Sequence, residues 1–269
     1  MVKSFFEIFK KPKPIIAMIH LKPLPGSHLY RGGGLKPIID SALADAQELQ
    51  EGGIDGLLIE NHSDIPFQKQ GADQHTVAAM TLITEAIGRQ LRLPFGVHIL
   101  RNAPFAAIAV THVTGGHFIR YNFMIDAYVT DQGVIEGNAY DVQKYRRELD
   151  TEVLVLCDVH SKYASPLGTR TIEESTRDLV YRALADGVIV TGSETGSPPD
   201  EDLIRRVKKS AGELPVIIGS GLTPDNVDPL LRIADGAIVG TSLKLDSKTT
   251  NPVDRNRVNQ LLDAVNKLR

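Results

Sequence analysis

The sequence carries a single cysteine, Cys157, among 269 residues. That excludes an internal disulfide and a Cys-rich zinc site. No run approaches the roughly 20 apolar residues needed to span a bilayer. Excess charge of one sign is also missing: the formal net charge is −3 and 23% of residues are charged. A nucleic-acid binder would show a basic patch and a high pI, so no nucleic-acid partner is expected. The N-terminus lacks the long apolar core and the small-residue cleavage site of a secretory signal. Neither a low-complexity segment nor a linker interrupts the chain. These absences point to a cytoplasmic protein with one domain over residues 1–269.

Hydrophobic residues make up 42% of the chain, enough for a substantial core. They fall in eight short runs: Ile15–His20, Gly56–Glu60, Phe95–Leu100, His117–Tyr121, Val153–Val159, Gly187–Thr191, Pro215–Gly219 and Gly236–Gly240. Each is rich in Val, Ile or Leu and too short for a typical helix. Parallel strands buried on both faces read in this way. Amphipathic stretches separate them, among them Ile38–Gly52, Thr76–Gly88 and Ile172–Ala185. Thr171 and Glu174 form a capping-box pattern at the start of the last. Strand and helix repeated eight times predict an α/β fold, a (β/α)8 TIM barrel, which needs about 250 residues. A doubly wound open sheet is the competitor, but regular units without a linker favour closure.

Two connections are long: 21–37, rich in Gly and Pro, and 122–141. In the second, Ala127–Val129 and Val134–Glu136 flank Asp131-Gln132-Gly133, which predicts a hairpin. Both connections follow strands, so both belong to the C-terminal face, where long loops often act as lids. At the other end, residues 1–13 combine Phe5, Phe6, Ile8 and Phe9 with Lys10, Lys11 and Lys13. Such a segment suits peripheral contact with an anionic membrane. The plainer expectation is that these aromatics plug the bottom of the barrel or pack against a second subunit of a homo-oligomer.

The strongest local signal is the pair IGSGLTPDNV (Ile218–Val227) and GAIVGTSL (Gly236–Leu243). Glycines after an apolar strand let backbone N–H groups approach a ligand. In barrels, phosphate sites are commonly built by the loops after strands seven and eight. Gly219, Ser220, Gly221, Gly240, Thr241 and Ser242 are the expected phosphate donors. Polar residues also gather where the other strands end: His20; Glu60 and Asn61; His98; Arg120 and Asn122; Asp158 and His160; Thr191, followed by Glu194. Side chains alternate along a strand, so Asp158 and His160 are expected on one side. If that side is the interior, they converge with Glu60 and Arg120. Glu60, Asp158 and His160 supply acid and base groups, and Arg120 or His98 can polarise a carbonyl. His20, Asn61, Asn122, Thr191 and Glu194 are candidate substrate contacts. A histidine with carboxylates from neighbouring strands can also hold a divalent metal, but Asp-x-His is a weak metal signature, so the cofactor stays open. Lys162 lies past a strand end and is expected to bind substrate or face solvent, since a Schiff-base lysine needs burial.

HLKPLPGS (His20–Ser27), GGIDGLLIENHSDIPF (Gly52–Phe67), GVHILRN (Gly96–Asn102), FIRYN (Phe118–Asn122), CDVHSKYASP (Cys157–Pro166), VIVTGSETG (Val188–Gly196) and IGSGLTPDNV together resemble the BtpA/SgcQ family. The likeness runs in order from about residue 12 to the C-terminus, nearly the whole chain. It implies a phosphate-binding barrel. One branch is named for a thylakoid-associated protein of photosystem I biogenesis. The other is associated with sugar-uptake genes and carries a nucleoside triphosphatase label, which the absence of a Walker P-loop does not support. No mechanism follows from the resemblance. Two functional expectations stand. The first is an enzyme acting on a small phosphorylated ligand such as a sugar phosphate, with isomerase, epimerase or aldolase-type chemistry. The second is a non-enzymatic, membrane-associated assembly factor.

Overall fold

The computed structural model describes residues 4–269. A short helix α1 (Phe5–Phe9) leads into β1 (Ile15–His20), α2 (Lys36–Glu51), β2 (Gly56–Glu60), α3 (Gln74–Gln90), β3 (Phe95–His98), α4 (Pro104–Val113) and β4 (Phe118–Tyr121). Then come β5 (Ala127–Thr130), β6 (Gly133–Glu136), α5 (Ala139–Glu148), β7 (Leu154–Asp158), β8 (Ala164–Pro166), α6 (Ile172–Tyr181) and β9 (Gly187–Val190). The chain ends with α7 (Glu201–Ala211), β10 (Val216–Ile218), α8 (Val227–Leu231), β11 (Gly236–Val239) and α9 (Arg255–Asn266). Strands β1, β2, β3, β4, β7, β9, β10 and β11 close into one barrel, and its adjacent pairs are parallel. The fold is a TIM barrel.

Period-two alternation sorts the strand residues into two cores. Ile15, Ala17 and Ile19 face outward into the layer shared with the helices. Ile16 and Met18 face inward, with Leu58, Phe118, Leu154, Leu156, Ile189, Ile217 and Ile238. Carrying the inward parity up each strand brings His20, Glu60, His98, Arg120 and Asp158 to the C-terminal rim. The same parity places Gly219 and Gly240 just beyond β10 and β11.

The floor is closed by α1. Phe5 and Phe9 are buried in the inward cluster, and the Phe9 ring lies 5.8 Å from that of Phe118. The aromatics therefore plug the barrel. Phe6 is half exposed, and Lys11 pairs with the buried Asp55. Residues 1–3 of this segment lie outside the described residues. Among the described residues no helix is long and apolar enough to cross a membrane.

Two loops on the C-terminal face build a small second sheet in the order β6-β5-β8, antiparallel throughout. The hairpin falls where the turn chemistry predicts it. The third strand, β8, pairs with β5 beyond that hairpin. Phe123, Tyr128 and Ile135 form the satellite core of this sheet. The capping box at α6 is present: Thr171 accepts from the Glu174 N–H and Glu174 accepts from the Thr171 N–H. Thr171→Ala should therefore lower stability by about 1 kcal/mol in denaturant unfolding, with the barrel otherwise unchanged.

Candidate active site

The rim residues meet in one buried, hydrogen-bonded chain. His20 and Glu60 are register partners across β1 and β2, and Glu60 and His98 across β2 and β3. His98 Nδ1 lies 2.5 Å from Glu60 Oε2, and His98 Nε2 lies 3.0 Å from Asn122 Oδ1. Asn122 donates through Nδ2 to Asp158 at 2.9 Å, so its Oδ1 is left to accept from His98. Both nitrogens of His98 thus face acceptors, and a proton lies on the axis between His98 and Glu60. Burial alone would raise the Glu60 carboxyl. The imidazoles of His98, His62 and His20 outweigh it and hold the group well below the usual carboxylate range.

Asp158 is tied into the scaffold. It accepts from Arg120 Nε at 3.0 Å, Arg120 Nη2 at 3.1 Å, Asn122 and Ser161. Burial raises its carboxyl, but Arg120 and these donors bring the net below the ordinary value. Arg120 also donates to the Gly219 carbonyl at 3.3 Å. This pair is a fixed ionic strut. Asp158, expected as an acid or base, accepts four hydrogen bonds and does not line the cavity.

His160 does not join the cluster. Strand β7 stops at Asp158, and His160 adopts a left-handed φ of 47°. Alternation therefore fails at this residue. Its Nε2 lies 3.1 Å from Ser175 Oγ on α6, beneath the hairpin, and it lines none of the rim cavity. The sequence expectation of a catalytic His160 is corrected on this ground.

Other expectations divide. His20, His98 and Asn122 line the cavity. Asn61 does not: its Oδ1 accepts from the Leu100 N–H at 2.8 Å, and its amide donates to Asp64. It holds a loop. Thr191 is buried behind the wall, and Glu194 is exposed outside it. Neither touches the space a substrate would fill.

The cup after β10 and β11 is present. Its cavity of about 210 Å³ is shared with Glu60, His98, Arg120 and Lys162. Gly219 is not a donor to it, because its N–H is spent on the Val190 carbonyl at 2.8 Å. The N–H groups of Ser220, Gly221, Gly240, Thr241 and Ser242 take no partner in the turns and loops of the described residues. The serine hydroxyls tie the loops together: Ser220 Oγ donates to the Ser197 carbonyl and Ser242 Oγ to the Leu222 carbonyl. Two glycines allow close approaches here. Gly221 has φ +75° and a Cβ there would meet the Pro198 backbone at 2.1 Å. A Cβ on Gly240 would lie 2.6 Å from His20 Cε1, so the missing side chain makes room for that imidazole.

Lys162 is the residue sequence reasoning undervalued. It is half-buried in the cavity wall, and no hydrogen bond or ion pair to its Nζ forms among the described residues. Burial, helped by the Arg120 and Arg101 cations and opposed by Glu60 and Asp158, lowers its amine to about 8. Arg101 fixes the loop by donating to the Lys162 carbonyl at 2.7 Å.

Residues 11–267 match the model of the BtpA family. The chain belongs to the BtpA family. A photosystem I biogenesis protein BtpA of Synechocystis is 40% identical over 262 residues, covering 97% of this chain and 91% of that one. The putative sgc region protein SgcQ of Escherichia coli is 32% identical over 265 residues, covering 98% of each. Among solved structures, the native KDPGal structure gives a TM-score of 0.58 at 15% identity, covering 94% of this chain and 95% of that one. Thiamine phosphate pyrophosphorylase from Pyrococcus furiosus gives 0.58 at 14% identity, covering 95% and 96%. At those identities the likeness shows the barrel alone.

Proposed function

We propose that this chain is an enzyme acting on a small phosphorylated metabolite, with a sugar phosphate as the substrate class. One observation carries the reading: unpartnered amides from two successive βα loops and a buried acid/base pair open into the same cavity. The phosphate group sits on the amides of Ser220, Gly221, Gly240, Thr241 and Ser242. A phosphate dianion there gains charge-assisted hydrogen bonds from donors that need no rearrangement. The carbon skeleton then extends over Glu60 and His98. With a proton on the axis between them, Glu60 Oε1 withdraws a proton next to a carbonyl and returns it, and His98 shares the charge through Oε2. Isomerisation, epimerisation or aldol cleavage all use that step. Lys162 supplies a cation, or a neutral amine above about pH 8, beside the reacting carbons. Solved barrels of similar fold carry phosphate in their names, which accords with the reading and carries only the fold.

Inorganic phosphate and sugar phosphates should raise the thermal midpoint of the purified protein, and the unphosphorylated sugars should not. Thr241→Pro deletes one amide of the cup. A charged hydrogen bond contributes about 1.5–3 kcal/mol, so phosphate affinity should fall roughly 10- to 100-fold by calorimetry. Absence of stabilisation by every phosphorylated ligand would sink the reading.

A further inference from the structure

On the opposite side of Glu60 from His98, a second group converges. His62 Nδ1 lies 3.2 Å from Glu60 Oε1, and His20 Nε2 lies 3.8 Å from the same oxygen. One donor atom from each of the three residues falls within 4.8 Å of the others. The two imidazole rings stand 4.7 Å apart at 55°, so they are not stacked.

His20 is the anomaly that asks for an occupant. Its side chain is 6% exposed, yet neither ring nitrogen makes a hydrogen bond among the described residues. Nδ1 has no partner, and 3.8 Å is beyond hydrogen-bond range for Nε2. Buried polar groups are seldom left so. The spacing suits two donors on one ion. With metal–donor distances of about 2.0–2.2 Å, tetrahedral ligands lie roughly 3.3–3.6 Å apart. The two separations to Glu60, 3.2 and 3.8 Å, bracket that range, and all three donor atoms lie within 4.8 Å of one another.

We propose that His20, Glu60 and His62 bind a divalent first-row transition metal ion at the lip of the cavity. Two imidazoles and one carboxylate favour zinc or iron over magnesium or calcium, which take oxygen ligands. Three protein ligands leave a coordination position open, the pattern of a catalytic rather than a structural site. All three residues line the cavity, so the open position borders the space below the cup. His98 completes the arrangement: it holds Glu60 Oε2 and leaves Oε1 to the ion, as outer-shell partners of metal-bound carboxylates do, and with the ion bound the proton transfer passes from Oε1 to the Lys162 amine in the same cavity. Gly240 has a second role here, because only the absence of its Cβ admits the His20 ring.

The test uses the full chain stripped with chelator and free of phosphate, titrated with Co²⁺ alone. One equivalent should bind by calorimetry, with visible d–d absorption of a low-coordinate site, and Zn²⁺ should displace it. His20→Ala and His62→Ala should each weaken binding at least tenfold while far-UV circular dichroism stays unchanged. His98→Gln should weaken it about 10- to 100-fold through Glu60. His160→Ala, outside the cavity, should bind as the parent does. No stoichiometric binding by the parent, or equal binding by the His62→Ala variant, overturns the proposal. Phosphate stabilisation of the metal-free protein is a separate measurement, so either reading can fail alone.

Discussion

Arg120→Leu should cost about 3–5 kcal/mol of stability, the usual penalty for stripping one partner from a buried ion pair. In a protein of this size that is a fall of roughly 10 °C in thermal midpoint. The reason lies in what remains. Asp158 would keep Asn122 and Ser161 but lose the one full cation that touches it among the described residues, in a site where it is 3% exposed. The Gly219 carbonyl would lose its donor as well, which loosens the base of the cup. Removing both charges in Arg120→Leu/Asp158→Leu should recover part of the loss, because no naked charge is left. Urea unfolding of the single and double variants measures this directly. A single-variant loss below about 1 kcal/mol would mean that water reaches Asp158 and that the strut is not dry.

Lys162 should behave unlike every surface lysine. Its amine titrates near pH 8 because burial disfavours the ammonium. An ordinary lysine titrates near 10.4. At pH 8 the neutral fraction of Lys162 should therefore exceed that of a surface lysine by about 100-fold. Competitive acylation across pH 6–11, read by peptide mass spectrometry, should show Lys162 half-modified near pH 8. The sign for stability follows from proton counting. Between about pH 8 and 10.5 the unfolded chain binds more protons at this group than the folded one, so the Lys162 contribution to stability should rise with pH; buried Cys157, Tyr121 and Tyr128, raised by burial, contribute in the opposite sense, so the rise is read as the difference between the parent and Lys162→Met. Lys162→Met should remove both the early acylation and that rise. Co-titration of Lys162 with the surface amines would show that the side chain swings into water.

Much of this arrangement can be read in the chain. A strand buried on both faces keeps strict alternation, so the polar residues at the ends of β1 to β4 and β7 had to share a layer with the glycines after β10 and β11. The limit of that logic is the point where a strand ends. His160 obeys the parity of Asp158 in sequence, but the backbone turns left-handed there and delivers the ring to Ser175. The same turn, with a second left-handed residue at Tyr163, carries Lys162 back over the mouth. No periodicity announces either event. Strand β8 was equally hidden: Ala164–Pro166 has no apolar pattern, and it forms only because β5 offers an edge. Proline is tolerated there because an edge strand can leave one donor position empty. Asn61 and Gly219 failed for a simpler reason, since both spend their polar groups on the scaffold rather than on the cavity.

The aromatic floor has a consequence for how the chain is made. Phe5 and Phe9 are synthesised early, whereas Ile217 and Ile238, which share their cluster, come late. Strand β1 likewise waits for β11, its neighbour across the closure. On a ribosome that has not yet released residues 236–239, the two rings have an incomplete wall and β1 and β10 each keep an open edge. Unpaired edges and exposed apolar surface are what drive association of nascent chains. Translation arrested before β11 should therefore yield a chain that holdase chaperones retain through its N-terminal segment. Completing that one strand seals the edges and the floor together.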